Sequence, residues 1–298
     1  MIRFLPGGAK PPTTCTHSAE TMEETDSAPL PHQIDADSLA ALPRTCGVYI
    51  FKGEGTLPIY IGKSVDIRSR VLAHLRAEDE AEMIAQSRRV EFIETAGEIG
   101  ALLLEARLIK QQSPLFNIRL RRLRNLCAIH LSEQPEGVTP EVVSGRDVAV
   151  GQADGLFGLF CSVHAAHSKL RELADQHRLC LGLLGLEKIS KRGCFGLQVR
   201  TCLGACVGKE DRQTHDRRLL SALMDLKVHA WPFPGAVELI EQSGDWVQRH
   251  RIQGWRYQGT WCSRTQKLSS SEQQAFDLDT YKILVKPIMM GTARVELV

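Results

Sequence analysis

A carboxylate in the middle of an apolar helical run is the feature that most constrains this chain. From Glu98 to about Gln112 the apolar residues keep a helical period, and Pro114 stops the helix just beyond. Glu105 lies inside that run, with Ala101, Leu102, Leu108 and Ile109 three and four places away, so its side chain projects from the apolar face. An unpartnered carboxylate taken out of water costs several kcal/mol, so a cation, a metal or a proton has to meet it. On spacing alone, a salt bridge to one of the many arginines serves as well as a metal.

The residues upstream supply other polar groups that packing does not explain. A short strand from Val48 to Phe51, a Gly53-Glu54-Gly55 turn and a second strand from Ile59 to Ile61 read as a hairpin. Pro58 fits only at the start of that second strand, because it cannot donate to a ladder. Ser64 and Asp66 both suit the N-cap of a helix on which Ile67, Val71 and Leu75 recur every four residues. The same spacing stacks Arg70 over His74 on another face, and Lys63 points nearly the same way if the turn after Gly62 is helical. Two cations and an imidazole are then expected to share one surface. A second helix (about 78–86) and a strand (90–95) precede the long helix. After it, Arg119, Arg121, Arg122 and Arg124 form a dense basic segment of the kind that binds phosphate through charge and counterion release.

Composition narrows the class. The 298 residues suffice for two ordinary domains, and 43% apolar with 24% charged residues is globular usage. A net charge of +2 hides an asymmetry: residues 1–40 carry two Lys/Arg against six Asp/Glu, whereas residues 41–125 carry fourteen against ten. Residues 1–33 hold few large apolar groups and are expected to form a disordered tail. There is neither an apolar run of about 18 residues nor a compact signal-peptide core, so a cytoplasmic protein without a membrane partner is expected. Nine cysteines, an odd number, point to reduced thiols or ligands over a disulfide framework. Cys180, Cys194, Cys202 and Cys206 stand fourteen, eight and four residues apart within a stretch (168–218) holding eleven Lys/Arg against six Asp/Glu. Four thiolates suit tetrahedral zinc or an iron–sulfur cluster, and Gly204 eases a tight loop around either. Cys15, Cys46, Cys127, Cys161 and Cys262 lack such grouping and read as packing or tail residues. Beyond residue 219, the aromatic and basic residues around Trp255-Arg256-Tyr257 imply two or three strands with a helix, the aromatics packing in a core or, where exposed, stacking on bases.

Taken together, these residues resemble the GIY-YIG nuclease domain of the UvrC family. Tyr60-Ile61-Gly62 is the second half of its signature, and Gly47-Val48-Tyr49 is the first with Val in place of Ile. Lys63 follows directly, Arg70 stands seven residues on, His74 occupies a position where UvrC has tyrosine, Glu105 matches the family glutamate and Asn117 closes the set within Pro-Leu-Phe-Asn. The likeness extends over nearly everything after residue 40, toward the short branch of the family. It implies an α+β chain: a disordered tail (1–33), a nuclease domain with a small mixed or antiparallel sheet flanked by helices (34–125), a linker and Cys-rich helical metal-binding region (126–218), and an α+β region of unknown role (219–298).

The resemblance also implies the chemistry. One divalent metal, Mg2+ or Mn2+, sits on Glu105; Arg70 neutralises the phosphoryl oxygens; Tyr60 or the metal activates water, with Tyr60 favoured and helped by Lys63 or the metal, since an unperturbed phenol is a poor base near neutrality. Tyr49 and His74 position water and phosphate, and Asn117 supports the site. Damaged double-stranded DNA is the implied substrate, UvrB (with UvrA upstream) the implied partner, a single incision 3′ of a lesion the implied outcome, and a 4Fe-4S cluster, alternatively zinc, the implied occupant of the four cysteines. No UvrB-binding helical hairpin is recognisable after Cys206. Two other readings remain: a repair-independent, structure-specific GIY-YIG endonuclease, which the cysteine block disfavours, and a non-catalytic DNA-binding module, which has no need of Glu105.

Overall fold

The structure is a computed structural model that describes residues 29–117, 126–144, 154–270 and 276–298. Three antiparallel sheets follow one another along the chain. In the first, β1 (Gly47–Lys52) lies between β2 (Pro58–Ser64) and β3 (Arg89–Glu94). Around it pack α1 (Ala36–Ala40), α2 (Ile67–His74), α3 (Ala81–Gln86) and α4 (Glu98–Gln112).

Strand β1 is apolar at nearly every position because both its faces are covered, the pattern of a fully buried strand. Tyr49 and Phe51 pack with Ile59, Ile67, Val71 and Leu75, whereas Val48 and Ile50 join Ile61, Leu108 and Ile109 on the α4 side. Pro58 opens β2, as expected, and Asp66 rather than Ser64 caps α2 by accepting from the Ser69 amide. The expected second helix divides into a 3-10 turn (Glu78–Glu80) and α3.

The second sheet has the order β5-β4-β6, from β4 (Cys127–Gln134), β5 (Gly137–Ser144) and β6 (Leu156–Phe160). Against it lie α5 (Val163–His177) and α7 (Arg212–Leu223), while the one-turn α6 (Phe195–Gln198) packs beside Cys180, Cys194 and Cys202. Residues 127–144 and 156–160, read from sequence as part of a linker and helical region, therefore supply strands. The alternation in β4 and β5 is blurred by half-buried positions on both faces, which hides the period of two.

The third sheet has five strands where sequence suggested two or three. They run β10-β9-β8-β7-β11, from β7 (Val237–Ser243), β8 (Trp246–Gln253), β9 (Arg256–Cys262), β10 (Lys267–Ser270) and β11 (Arg294–Leu297). Helix α8 (Leu278–Met289) closes its core and contains the apolar stretch around Tyr281 to Val285. Gly254 and Trp255 both take positive φ, 57° and 62°, which is the two-residue turn that joins β8 to β9. A bulky residue is strained there, and burial holds it: Trp255 is fully enclosed, stacks edge-on against Trp231 and Tyr281 and donates to the His229 carbonyl at 2.9 Å. Core packing is thus the role of these aromatics.

Helix α4 is the element the first and third sheets share. Leu108 and Ile109 pack on β1 and β2, while Leu103 and Ile99 belong to the core beneath β7, β8 and α8. Among the described residues no helix is long and apolar enough to cross a membrane.

Trp255→Ala is expected to destabilise the chain by about 3–5 kcal/mol, the cost of emptying a fully packed indole site. A denaturant titration followed by circular dichroism checks it.

Candidate active site and cysteine centre

The two half-signatures meet because β1 and β2 pair antiparallel, with Tyr49 directly opposite Gly62. That pairing explains the glycine: a Cβ at Gly62 would lie 2.3 Å from the Tyr49 hydroxyl. Tyr49 and Tyr60 reach the same side of the sheet, their rings 6.3 Å apart, and the His74 ring stands 5.3 Å from the first and 5.4 Å from the second.

His74 departs from the expected cationic surface. It is 1% exposed, turned inward against the tyrosines and Phe51, while Arg70 one turn earlier stays exposed. Its Nε2 is 2.6 Å from the Tyr49 hydroxyl, and its Nδ1 makes a very short contact with Glu80. With Nδ1–H donating to the Glu80 carboxylate, Nε2 accepts the Tyr49 proton. Burial pushes the imidazole below its ordinary pKa, and the Glu80 carboxylate only partly offsets it. Sequence reasoning passed over Glu80. It sits in an acidic Glu78-Asp79-Glu80 turn that reads as solvated, and its only signal is the six-residue spacing from His74.

Burial also pushes both phenols up, Tyr49 the further; Arg70, close to the Tyr49 hydroxyl, opposes the rise at both. Neither tyrosine ionises unaided near neutral pH. Lys63 was expected to help. Its backbone amide instead donates to Glu105 at 3.1 Å, and its ammonium reaches Glu98 at 2.5 Å, away from the tyrosines.

Glu105 is half-buried, and burial pushes its carboxyl up despite the Lys63 amide and charge. Among the described residues it has no ion-pair partner, so the salt bridge to an arginine that spacing allowed is not formed there. Asn117 is occupied structurally: its side chain accepts from the Ile61 amide at 2.9 Å and donates to the Ile61 carbonyl at 2.8 Å, pinning β2 between the tyrosine and the glycine. Tyr49, Tyr60, Lys63, Arg70, His74, Glu105 and Asn117 are thus gathered around one end of β2. Arg119, Arg121, Arg122 and Arg124 lie outside the described residues, as does Cys15.

The second centre is a knot of sulfur. The Sγ atoms of Cys180, Cys194, Cys202 and Cys206 all lie within 4.8 Å of one another, three of the residues being buried. Amides of Leu197 and Gly204 point at the Cys194 and Cys202 sulfurs, each at 3.2 Å, and Gly204 turns the loop at φ 93°. His215 anchors the chain behind them, accepting from the Cys180 amide at 3.1 Å and facing Asp216 with its other nitrogen. Burial makes two of the four hard to ionise as thiols, pushing Cys180 up to about 11 and raising Cys194 as well, whereas Cys206, despite its burial, is held below its ordinary value by hydrogen bonds from Cys194 and Cys180. A bound cation reverses that preference, so the donor set fits a metal centre.

Comparison with known proteins bears on both centres. Residues 45–118 match the UvrC-like GIY-YIG domain, residues 126–225 the UvrC/Cho excinuclease middle domain and residues 236–298 the excinuclease Cho C-terminal domain. Excinuclease cho of Escherichia coli (strain K12) is 51% identical over 253 residues, covering 84% of this chain and 84% of that protein. The chain belongs to the Cho excinuclease family. The excinuclease cho of Salmonella typhi is also 51% identical, over 85% of this chain and 86% of its own length. UvrABC system protein C of Methanosarcina barkeri is 31% identical over 63% of this chain and 36% of that protein. The magnesium-bound GIY-YIG N-terminal endonuclease domain of UvrC from Thermotoga maritima aligns with 28% of this chain and 93% of its own at 34% identity, TM-score 0.26. As a Cho excinuclease, the chain is an endonuclease of nucleotide excision repair, and its α+β fold agrees with the reading of the sequence.

The buried histidine makes stability fall in acid. Below the unfolded value of about 6.5 an unfolded chain binds a proton that folded His74 resists. Stability is therefore complete above that pH and lost as pH drops toward the depressed folded value. Denaturant midpoints from pH 8 to 5 are expected to fall more steeply for the wild type than for His74→Gln.

Proposed function

We propose that this Cho excinuclease hydrolyses one phosphodiester on the 3′ side of a lesion in double-stranded DNA, in the cytoplasm and in concert with UvrA and UvrB. The observation that carries the catalytic part is Glu105: a half-buried carboxylate without an ion-pair partner among the described residues, its pKa raised by burial, next to two tyrosines and an exposed arginine. Such a group fits a hard divalent cation, Mg2+ or Mn2+, which takes oxygen ligands, retains waters and leaves room for phosphate. When bound there, the cation polarises the phosphoryl oxygens and eases ionisation of water. A single site carboxylate suits one metal better than two.

The side chains divide the remaining work. Arg70, exposed beside Tyr49, places its guanidinium where charge develops on the phosphate. The Tyr60 hydroxyl, adjacent to that of Tyr49, faces the attacking water as base. A proton taken there passes to Tyr49 and on to His74 Nε2, with the Glu80 carboxylate stabilising the imidazolium that results. This relay removes the need for a free phenolate, which burial forbids. Lys63 acts through its amide, orienting the Glu105 carboxylate, and Asn117 keeps Tyr60 in place through β2.

The four cysteines are assigned as metal ligands with a structural role, holding the ends of α5 and α7 together. Resemblance to UvrC implies a 4Fe-4S cluster. Zinc is the second reading, favoured by the sulfur spacing: a single tetrahedral ion with bonds of about 2.3 Å draws its four thiolates close together, whereas a four-iron cube holds them further apart.

Glu105→Gln is expected to abolish nicking, and Arg70→Ala to lower it by about 10³-fold, with lesion-duplex binding retained. Wild-type cleavage by either variant contradicts the site. The same site-specific lesion duplex, incubated with and without UvrA and UvrB in Mg2+ and in EDTA, tests the repair assignment: damaged-strand incision that needs UvrB and Mg2+ supports it.

Anaerobic purification gives the metal. A broad visible absorption with four irons per chain is expected for the cluster and a colourless protein with one zinc for the second reading, while a colourless, metal-free, stable protein contradicts both.

A further inference from the structure

We propose that the third sheet and α8 position the nuclease: Glu241 with His250 at one end of α4, and Asp277 with Asp279 of α8 at the other, hold the helix that carries Glu105. The inference rests on the assignment of Glu105 as the metal-holding carboxylate.

The first turn of α4 lacks a cap of its own. Its N-cap is Gly97, which has no side chain, so the amides of the opening turn need acceptors from elsewhere. Glu241, on β7 and about 140 positions away in sequence, accepts from Ile99 at 2.9 Å and from Gly100 at 2.6 Å. Gln248 of β8 takes the Ala96 amide at 2.9 Å. A carboxylate at a helix N-terminus also meets the positive end of the helix dipole.

Glu241 is itself fixed. His250 Nε2 stands 3.1 Å from it, His250 Nδ1 stands 2.6 Å from the Thr260 hydroxyl, and Tyr257 reaches that same hydroxyl at 2.6 Å. His250 is 1% exposed. Burial alone would raise the Glu241 carboxyl, yet His250 and the two helix amides hold it below the usual range, so it is an anion when it caps α4.

The sequence of α4 carries the imprint of this contact. A Cβ at Gly97 would lie 2.2 Å from a Glu241 oxygen, and one at Gly100 would lie 2.9 Å from the His250 ring and 3.0 Å from Glu241. Glycine inside a helix is disfavoured against alanine, so Gly100 is a local disadvantage whose reason lies in another sheet.

At the far end, Lys110 reaches Asp277 at 2.5 Å and Asp279 at 2.9 Å, with only 13% of its side chain exposed. Asp277 also caps α8 by accepting from the Thr280 amide. Between these anchors the face bearing Ile99, Leu103 and Lys110 looks toward the third sheet. Ala101, Glu105, Leu108 and Ile109, spaced four, three and one apart, look the other way. The third sheet thus backs the helix opposite Glu105 and sets where the carboxylate stands relative to β2. Positioning groups behind a metal ligand change metal affinity by about 10–100-fold when removed.

The full chain tests this, with Glu241→Gln at one anchor, Lys110→Met at the other, Arg249→Ala as a control and Glu105→Gln as the reference. Arg249 joins β8 to Glu238 and Glu296 in the same sheet without touching α4. Three readouts are needed: nicking rate against Mg2+ concentration, DNA affinity in EDTA, and amide exchange of the 98–112 peptide in metal-free protein. Glu241→Gln and Lys110→Met are each expected to raise the half-saturating Mg2+ concentration by about 10-fold and to speed α4 exchange, with DNA affinity unchanged. Arg249→Ala is expected to match the wild type in all three.

An unshifted Mg2+ dependence in both anchor variants, even with faster exchange, overturns the proposal, because the contacts would then be structural only. An equal shift in Arg249→Ala overturns it as well, since general weakening of the sheet would suffice. Nicking by Glu105→Gln removes the metal assignment and this inference with it, whereas an inactive Glu105→Gln beside unshifted Glu241→Gln and Lys110→Met removes this inference alone.

Discussion

A helix buried on two opposite faces has little freedom to place a charged side chain, and α4 is such a helix. Its apolar residues divide between the β1–β2 face and the core under β7 and α8. Glu105 belongs to the first face, and among the described residues its side chain is hydrogen-bonded by the Lys63 amide alone. Every other feature of the nuclease end follows from holding that helix still: β2 lies where the amide can reach, Asn117 pins β2, and the tyrosines follow from the register of β1 with β2.

The second constraint is desolvation. Two phenols, an imidazole and a carboxylate share one largely covered site, and burial moves each toward its neutral form. Because Glu105 has no ion-pair partner among the described residues, a cation would meet it without an internal ion pair first being broken. Lys63 illustrates the separation, since its ammonium is drawn to Glu98 at the rim while only its amide faces inward. Arg70 stays exposed, and among the described residues it forms no ion pair.

Legibility in the sequence followed the range of the interaction. The bounds of α4, the β1–β2 hairpin and the candidate residues could be read because helical period, turn residues and signature spacing are local properties. His74 was placed on the wrong surface for the same reason: spacing stacks it over Arg70, but the aromatic pocket formed by β1 and β2 draws it inward, and no local pattern carries that information. Glu80 was missed because its partner is a residue that seemed solvated. The five-stranded sheet was undercounted because two of its strands, β10 and β11, have only four residues each and its aromatics, notably Trp255, lie in turns as well as in strands.

Glycines carry the non-local information that the other residues do not. Gly62 is needed where the Tyr49 hydroxyl approaches across the sheet, and Gly97 where Glu241 approaches from the far end of the chain. Each is an absence of side chain shaped by a polar group that must come close to backbone. In the sequence both read as ordinary turn or helix-start glycines, since the group that demands them is 13 positions away in one case and 144 in the other. The signature that names the nuclease fold is therefore half a record of atoms present and half a record of space kept empty, and the Gly97–Gly100 pair extends that record to the sheet at the other end of the protein.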